Sequence, residues 1–247
     1  MDRSLYISMT GAAQLTRMQD EVANNLANAS TTGFKSELSA MTAIPVLGDG
    51  ETSRANVVAK GLGQDFSEGP QISTGRDLDV SIKGSGWLAV QSPDGSEGYT
   101  RAGDLQITSD GLLTDAKGNP VVSATGGTIT LPQSHRVTIG QDGTLSAVSL
   151  GQDPNSVGQL GQLKLVNPDR SQLVKQSDGL MHMQDGTQAA TDPGVAVEAG
   201  SLEGSNVNPS TALVTMISIS RQFDMQMQSI KNADSNEQST QALLQNS

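Results

Sequence analysis

The chain has 247 residues, no cysteine and a net charge of −11, so it is long enough for one large or two small domains. The absence of thiols excludes disulfides, thiolate metal sites and cysteine nucleophiles. The acidic balance argues against nucleic acid or an anionic membrane surface as a partner, and no run approaches the ~18 consecutive apolar residues of a direct membrane span.

Glycine and charge divide the chain into three zones. Residues 41–208 hold 25 of the 27 glycines and eight of the nine prolines. Because both residues weaken helix interiors, their density indicates strands and turns in the middle, and their scarcity indicates helices at both ends. The same middle zone carries 10 basic and 19 acidic residues, whereas residues 1–40 and 209–247 each have a net charge of −1.

The N-terminal zone carries apolar residues at steps of three or four, which is typical of an amphipathic helix. They are Leu5, Met9, Ala12, Leu15, Met18, Val22 and Leu26. We expect this helix to end near Asn28, before the run Ser30-Thr31-Thr32, which competes for backbone hydrogen bonds. Gly33 can then adopt positive φ. The N-terminus lacks the features of a cleaved secretory signal, which indicates a cytoplasmic chain or one exported with its N-terminus uncut.

In the middle zone, residues 34–69 are interpreted as an extended connector with short strands. Asp-Gly pairs follow at 94–95, 110–111, 142–143, 178–179 and 185–186, and Asp-Gly between apolar runs is a strong hairpin signal. The strand candidates are Asp77–Lys83, Trp87–Val90, Leu105–Thr108, Val121–Val122, Thr128–Leu131, Arg136–Ile139, Thr144–Val148, Leu163–Val166 and Leu180–Met183. Many short strands separated by turns predict an all-β domain of sandwich or barrel type over residues 70–198.

The C-terminal zone begins with Asn208-Pro209, which we interpret as the N-cap and first residue of a helix. Apolar residues then alternate at steps of three and four, as in a heptad seam: Leu213, Met216, Phe223, Met227 and Ile230, with Ser220 completing the series. The sequence therefore predicts an α+β fold in which N- and C-terminal helices pair into a coiled-coil-like unit around an inserted all-β domain.

A pair of amphipathic helices leaves apolar surface exposed, and isolated helices are marginal in water without packing. One interpretation is a self-assembling tube or bundle, with the acidic middle zone on its outside. The other is an ordinary α+β monomer in which both helices dock on the β domain. Periodicity alone does not decide between them.

No catalytic motif is present: there is no G-x-S-x-G elbow, no H-E-x-x-H and no P-loop. The two histidines, His135 and His182, are interpreted as surface or strand residues. Asp77 and Asp79 would share a strand face, but a carboxylate pair needs a cleft to be a site. We therefore expect no enzyme, no metal and no cofactor. A cell-wall hydrolase remains an alternative that would require an acid–base pair in a cleft.

Three blocks in order resemble the bacterial flagellar rod and hook protein family. The first is Asn24-Asn25-Leu26-Ala27-Asn28 with Ser30-Thr31-Thr32-Gly33-Phe34-Lys35, and it is similar to the N-terminal signature of the family. The second, in the β domain, comprises 79–87 and 99–103. The third is Leu202-Glu203-Gly204-Ser205-Asn206-Val207-Asn208-Pro209 followed by Arg221-Gln222-Phe223. Within the family, the chain most resembles the basal-body rod protein of the proximal-rod type.

This resemblance implies a structural subunit without catalysis, located in the flagellar basal body as part of the rod in the periplasm. It implies export by the flagellar type III apparatus without signal cleavage, helical assembly through the terminal helices, and transmission of torque. The expected partners are copies of the chain, other rod proteins and the export apparatus. The alternatives are a distal-rod or hook-type subunit and, from another class, an adaptor of a phage tail or secretion system.

The resemblance also divides the chain: 1–33 is an N-terminal axial helix and signature turn, 34–69 the connector, 70–198 the β-rich domain, and 199–247 the C-terminal signature and axial helix. We expect Asn24, Asn25 and Asn28 to satisfy backbone groups at the helix end or in a neighbouring subunit. The full assembly motif is Asn24, Asn25, Leu26, Ala27, Asn28, Thr32, Gly33 and Phe34. The C-terminal signature is Leu202, Glu203, Gly204, Ser205, Asn206, Val207 and Asn208.

Overall fold

A computed structural model describes residues 3–45, 55–131, 135–149 and 157–245. It divides the chain into two compact units. The helical unit consists of residues 1–29, 35–66 and 207–247, and the β unit of residues 30–34 and 67–206. This α+β architecture has one helix at each end of the chain and strands between them, which confirms the predicted fold class.

The helical unit contains helix α1 (Arg3–Ala27), strands β1 (Glu37–Pro45) and β2 (Ala55–Gln64), and helix α2 (Pro209–Gln245). Helix α1 packs against both α2 and β2. Its predicted apolar stripe supplies the buried residues Ala12 and Leu15, whereas Met9 is exposed. The helix ends one residue before the predicted end at Asn28.

The two helices run antiparallel, as the chain path shows. Within the β unit, the Asn206 N–H donates to the Phe34 carbonyl at 3.3 Å, so the segment that follows α1 and the segment that precedes α2 lie side by side. Gly11 lies 16 residues before the end of α1, and Gln226, whose side chain lies 3.6 Å from an ideal Cβ on Gly11, lies 17 residues after the start of α2. Both positions are therefore about 25 Å along their helices.

Residues 34–69, interpreted above as an extended connector with short strands, contain a long antiparallel hairpin that belongs to the helical unit. Strands β1 and β2 pair from Glu37↔Gln64 to Pro45↔Ala55, with a bulge between Leu38 and Ser39. The Ala59 N–H donates to Gln14 Oε1 at 3.0 Å and ties β2 to α1. The hairpin thus packs beside α1 as part of the helical unit.

The described part of the β unit contains fourteen short strands, which pair antiparallel. They are β3 (Gln71–Ser73), β4 (Val80–Lys83), β5 (Trp87–Gln91), β6 (Glu97–Thr100), β7 (Gln106–Ile107), β8 (Leu113–Thr114), β9 (His135–Ile139), β10 (Thr144–Ser149), β11 (Val157–Gln162), β12 (Leu165–Val166), β13 (Leu173–Lys175), β14 (Met181–Met183), β15 (Ala196–Ala199) and β16 (Ser201–Glu203). The larger sheets have the strand orders β12-β5-β6-β14-β13 and β11-β10-β9, and β3 pairs with β16, β4 with β15 and β7 with β8. The candidates Val121–Val122 and Thr128–Leu131 form only single bridges.

Aliphatic side chains fill the core of the β unit. Val90, Leu105, Leu113, Val121 and Leu145 are fully buried there. Every buried residue of this hydrophobic cluster belongs to the β unit. The β unit therefore has a core of its own.

Four of the five Asp-Gly pairs named above connect adjacent paired strands, which confirms the hairpin prediction there: β5–β6, β7–β8, β9–β10 and β13–β14. The five glycines have φ between 71° and 86°, a region that favours glycine. Asp94, Asp142 and Asp185 each accept the backbone N–H of the residue two positions on. Hydrogen bonds from that residue lower the pKa of all three carboxyl groups.

Candidate functional site

The N-terminal signature is divided between the two units. Its first part, up to Ala29, belongs to the helical unit, and residues 30–34 belong to the β unit. The C-terminal signature is divided in the same way, since the chain leaves the β unit after Asn206. The signature residues therefore lie where the chain passes from one unit to the other.

Asn25 fastens strand β1 to helix α1. Its Nδ2 donates to the Glu37 carbonyl at 2.9 Å, and its Oδ1 accepts the Glu37 N–H at 2.9 Å. Asn25 is 9% exposed. Its amide therefore binds the backbone N–H and carbonyl of Glu37 at a position that is largely shielded from water. Both arms of the amide are used, which requires Asn rather than Asp.

Asn28 closes the end of α1. Its Nδ2 donates to the Asn24 carbonyl at 2.9 Å, and its N–H reaches the carbonyls of Asn24 and Asn25 at 3.1 and 3.2 Å. These bonds satisfy carbonyls that have no partner further along the helix. The Asn24 side chain is exposed, Leu26 is half-buried and Ala27 is exposed.

Gly33 brings the two signatures together within the β unit. Its N–H donates to the Glu203 carbonyl at 2.7 Å. Its φ is +66°, and an ideal Cβ there would lie 2.2 Å from the Arg101 carbonyl carbon. Glycine is therefore required twice, by the backbone conformation and by the close approach of another chain segment. Thr32 and Phe34 are half-buried, and the Phe34 ring lies 4.8 Å from Lys175 Nζ.

Glu203 and Arg101 form a buried ion pair beside Gly33. Arg101 Nη1 lies 2.7 Å from Glu203 Oε2, and the two side chains are 4% and 2% exposed. The other carboxylate oxygen accepts the Gly69 N–H at 3.0 Å. The guanidinium also donates to the Gly84 carbonyl and lies 5.7 Å from the centre of the Trp87 ring. We call Gly33, Gly69, Arg101 and Glu203 the signature joint.

The remaining C-terminal signature residues support this joint or start α2. Gly204 packs so closely on Gly69 that an ideal Cβ on Gly69 would lie 2.0 Å from its carbonyl oxygen. Asn206 Nδ2 donates to Ser67. Asn208 Oδ1 accepts the Thr211 N–H at 3.1 Å, which confirms Asn208 as the N-cap of α2. Ser205 is buried, and Leu202 and Val207 are half-buried.

On α2, the face with the lower exposure differs from the predicted seam by a small rotation. Met216, Phe223 and Ile230 are half-buried, and Ile219, at 3% exposure, is the most buried residue in the part of α2 whose side chains the structure describes. Leu213 and Met227, predicted on the seam, are exposed. Gln226, one residue before the exposed Met227, is half-buried in its place, which shows the direction of the rotation.

Most of the large apolar side chains that are exposed in the described ranges belong to the helical unit. Twelve of the fifteen large apolar side chains that are exposed among the described residues belong to it. They are Tyr6, Met9, Leu38, Met41, Ile44, Val58, Leu62, Leu213, Val214, Ile217, Met225 and Met227. Only Ala12, Leu15 and Ile219 are buried apolar residues of this unit in the described ranges.

Comparison with known proteins decides the family. The family model "Flagella basal body rod protein" matches residues 5–35, "Flagellar hook protein FlgE/F/G D1 domain" matches residues 81–147, and "Flagellar basal body rod FlgEFG protein C-terminal" matches residues 198–243. The chain is 42% identical to the flagellar basal-body rod protein FlgF of Salmonella typhimurium, over 99% of both chains. The chain belongs to the flagellar basal-body rod protein family.

Other relatives span almost the whole chain as well. FlgF of Escherichia coli is 42% identical over 96% of both chains, and FlgG of Bacillus subtilis is 31% identical over 95% of this chain and 96% of its own. The chain is therefore a structural rod protein of the flagellar basal body. In the described ranges, neither helix is long and apolar enough to cross a membrane.

Rod proteins are not known to be enzymes, and the side chains that could suggest a hydrolase are arranged differently from a catalytic triad. Ser92 Oγ donates to Asp178 Oδ2 at 2.6 Å, and His182 Nε2 lies 2.9 Å from the same oxygen. The serine is thus bound to the carboxylate instead of the imidazole, and His182 is buried. Burial favours a raised pKa for Asp178, but the hydrogen bonds from Ser92, Leu180 and His182 outweigh it and lower this pKa.

Another carboxylate of the β unit, that of Asp104, is less well satisfied. Asp104 Oδ1 is buried without a hydrogen-bond partner in the described structure. Burial raises the pKa of Asp104, and the charges of Asp115 and Asp79 raise it further. Asp79 itself is bound by Arg76 at 2.7 Å and by Thr74 Oγ1 at 2.6 Å, so it serves as a structural partner.

Proposed function

We propose that this rod protein is a subunit of the proximal rod, and that its copies assemble helically through α1 and α2 into the shaft that crosses the periplasm. In this function, the shaft transmits torque for swimming, and the subunit arrives through the flagellar type III export apparatus with its N-terminus uncut. Other rod proteins continue the shaft.

The observation that carries the proposal is the apolar surface of the helical unit. A monomer rarely leaves so many large apolar side chains in water, and a large exposed apolar surface marks an interaction site. On α2, Leu213, Val214 and Ile217 are exposed within two turns. Burying them between copies removes this surface from water and stabilises an assembly by about 25 cal/mol per Å².

The pairing of α1 with α2 supports a coiled-coil-like unit as the repeating element. One series of half-buried and buried residues of α2 follows heptad steps: Ala212, Met216, Ile219, Phe223, Gln226 and Ile230. Alternating steps of four and three keep one face of a helix against its partner. The opposite face of α2 then remains available to neighbouring copies.

The assignment to the proximal rod rests on sequence similarity. The chain is 42% identical to two relatives named FlgF and 31% identical to a relative named FlgG. Its C-terminal signature and the residues after Arg221 resemble the proximal-rod type. A distal-rod or hook-type subunit is the second candidate within the family.

Deletion of the coding sequence, followed by electron microscopy of basal bodies and a swimming assay, tests the assignment. We expect non-motile cells whose basal bodies stop at the membrane ring without a rod. A complete rod that lacks only its hook would support the second candidate. Intact basal bodies with normal swimming would refute both.

A matched pair of substitutions tests the assembly surface. Ile217→Asp changes an α2 residue that is 55% exposed, and Ile72→Asp changes a β3 residue that is 53% exposed. Both should leave the isolated chain folded, because neither side chain is buried. We expect only Ile217→Asp to abolish swimming in a complementation assay. Equal swimming of the two strains would contradict assembly through this face of α2.

A further inference from the structure

Gly33, Gly69 and Glu203 lie within four residues, along the chain, of the points at which the chain leaves or enters the β unit. The chain crosses between the units after residues 29, 34, 66 and 206. Gly33 and Gly69 bind Glu203 through its carbonyl and its carboxylate, and Asn206 binds the Phe34 carbonyl. The buried Glu203 thus connects its own segment to the segment that contains Gly33 and to the segment that contains Gly69.

The Glu203 carboxylate depends on Arg101. A carboxylate that is 2% exposed requires a countercharge, and Arg101 Nη1 supplies it at 2.7 Å. The guanidinium is committed to this place, since its other described bonds go to the Ile82 and Gly84 carbonyls. Removing either charge would leave the other buried without a counterion.

Packing alone specifies the register of the helix pair only weakly. Among the described residues, Ala12, Leu15 and Ile219 are the only buried apolar side chains of the helical unit. Gly11 and Gln226 nevertheless meet at nearly equal distances from the C-terminal end of α1 and the N-terminal end of α2. A fixed spacing of those two ends accounts for this equality.

We infer that Arg101 and Glu203 are positioning residues that hold together the two chain segments leading to α1 and α2, and thereby set the register in which these helices pair. This role is internal to one chain and goes beyond the assembly proposed above. If the rod assignment failed, the inference would stand, because it rests on contacts within a single copy.

The absence of cysteine allows a direct measurement of register. In one full-length chain, Gly11→Cys is combined with Gln226→Cys, which reports the observed register because these positions face each other. In a second chain, Gly11→Cys is combined with Gln222→Cys, which reports a slip of about one turn. The fraction of each chain that forms a disulfide under mild oxidation is measured.

Glu203→Gln is then introduced into both chains, and Glu97→Gln serves as the matched control. Glu97 forms a comparably buried ion pair with Lys164 at 2.8 Å, with side chains 5% and 11% exposed, but it binds none of the signature segments in the described contacts. Both substitutions remove one charge from a buried pair of the β unit. They differ in whether that pair holds the segments that lead to the helices.

We expect Glu203→Gln to lower the ratio of 11–226 to 11–222 crosslinking at least about fivefold, and Glu97→Gln to leave it unchanged. An unchanged ratio in Glu203→Gln would overturn the inference, and so would an equal fall in both variants. If Glu203→Gln does not fold, Arg101→Lys replaces it, because lysine keeps the charge but loses the planar fork. An unchanged ratio in Arg101→Lys would then be equally decisive against the inference.

Discussion

The bidentate bond between Asn25 and Glu37 predicts a defined cost for Asn25→Ala. The substitution removes a donor and an acceptor at 2.9 Å from a side chain that is 9% exposed. Each hydrogen bond contributes about 0.5–1.5 kcal/mol net, and a buried group left unpaired costs about 1–3 kcal/mol. Because Glu37 is half-buried, water can replace part of the loss. We expect the free energy of unfolding of the helical unit to fall by about 1–3 kcal/mol.

Two spectroscopic probes can follow the unfolding of the helical unit and of the β unit separately. Trp87 is the single tryptophan and is buried in the β unit, so its fluorescence follows that unit in a urea titration. Circular dichroism at 222 nm follows the helices. With a urea slope of about 1–3 kcal/mol per M, the helical midpoint of Asn25→Ala should fall by about 1 M, whereas the fluorescence midpoint should not change.

Asn24→Ala is the matched control, because Asn24 is adjacent, exposed and without a side-chain hydrogen bond among the described contacts. Its helical midpoint should stay close to that of the unchanged chain, since alanine is a good helix former. Equal midpoints for Asn24→Ala and Asn25→Ala would refute the reasoning. A fall in the fluorescence midpoint alone would also refute the reasoning, because the hydrogen bonds of Asn25 would then stabilise the β unit instead of the helical unit.

Substitutions in the β unit should change its stability, in some cases by lowering the free energy of unfolding and in one case by raising it. Gly33→Ala should lower the free energy of unfolding of the β unit by more than about 2 kcal/mol, because the added Cβ would lie only 2.2 Å from the Arg101 carbonyl carbon and the backbone strain adds to this clash. Gly126→Ala, with φ +88° but open space around the added Cβ, should cost about 1–2 kcal/mol. Tyr99→Phe removes the acceptor of a buried backbone N–H at 2.7 Å and should cost about 1–3 kcal/mol in the same urea titration. Asp104→Asn should stabilise the chain at neutral pH. Since the folded pKa of Asp104 is raised above 3.8, the native state binds more protons, and stability falls as pH rises from 3.8 through that raised pKa. The gain from Asp104→Asn should therefore vanish below pH 3.8, and an equal gain at low and neutral pH would contradict this assignment.

The helices could be predicted from the sequence, because glycine scarcity and apolar periodicity are local signals. The exact buried face of α2 could not. Both faces of its first half carry large apolar residues, such as Val214 and Ile217 outside and Met216 and Ile219 inside. More than one set of heptad positions on α2 is therefore apolar, and which set is buried depends on how α2 packs against α1.

The pairing of β1 with β2 goes beyond the prediction of an extended connector with short strands, although the sequence holds a signal for this hairpin. Asp49-Gly50 separates the two strands, and Asp-Gly between strands indicates a hairpin. The structure of residues 46–54 lies outside the described ranges. The glycines at 61 and 63 also weakened the strand pattern of β2, since glycine is unfavourable in strands.

The signature joint could not be predicted from one sequence. Arg101 and Glu203 are separated by 102 positions, and no local pattern indicates that an arginine after β6 binds a glutamate in β16. The individual motifs were visible as resemblances. Their contact is a property of the folded chain, because it depends on the sheet that brings β16 beside β3.

The burial of the signature residues bears on how they contribute to assembly. Asn25, Gly33 and Glu203 use their hydrogen bonds within one chain, and two of them are almost completely shielded from solvent. Under the proposed assembly, a neighbouring copy would therefore meet other side chains, such as the exposed Val214 and Ile217. Under the proposed function, the signatures act by fixing the shape of the subunit, and the apolar face of the helices provides the surface for association. Substitutions of the signature residues should accordingly destabilise the isolated chain. Substitutions on the apolar face of the helices should leave the isolated chain stable but block its assembly.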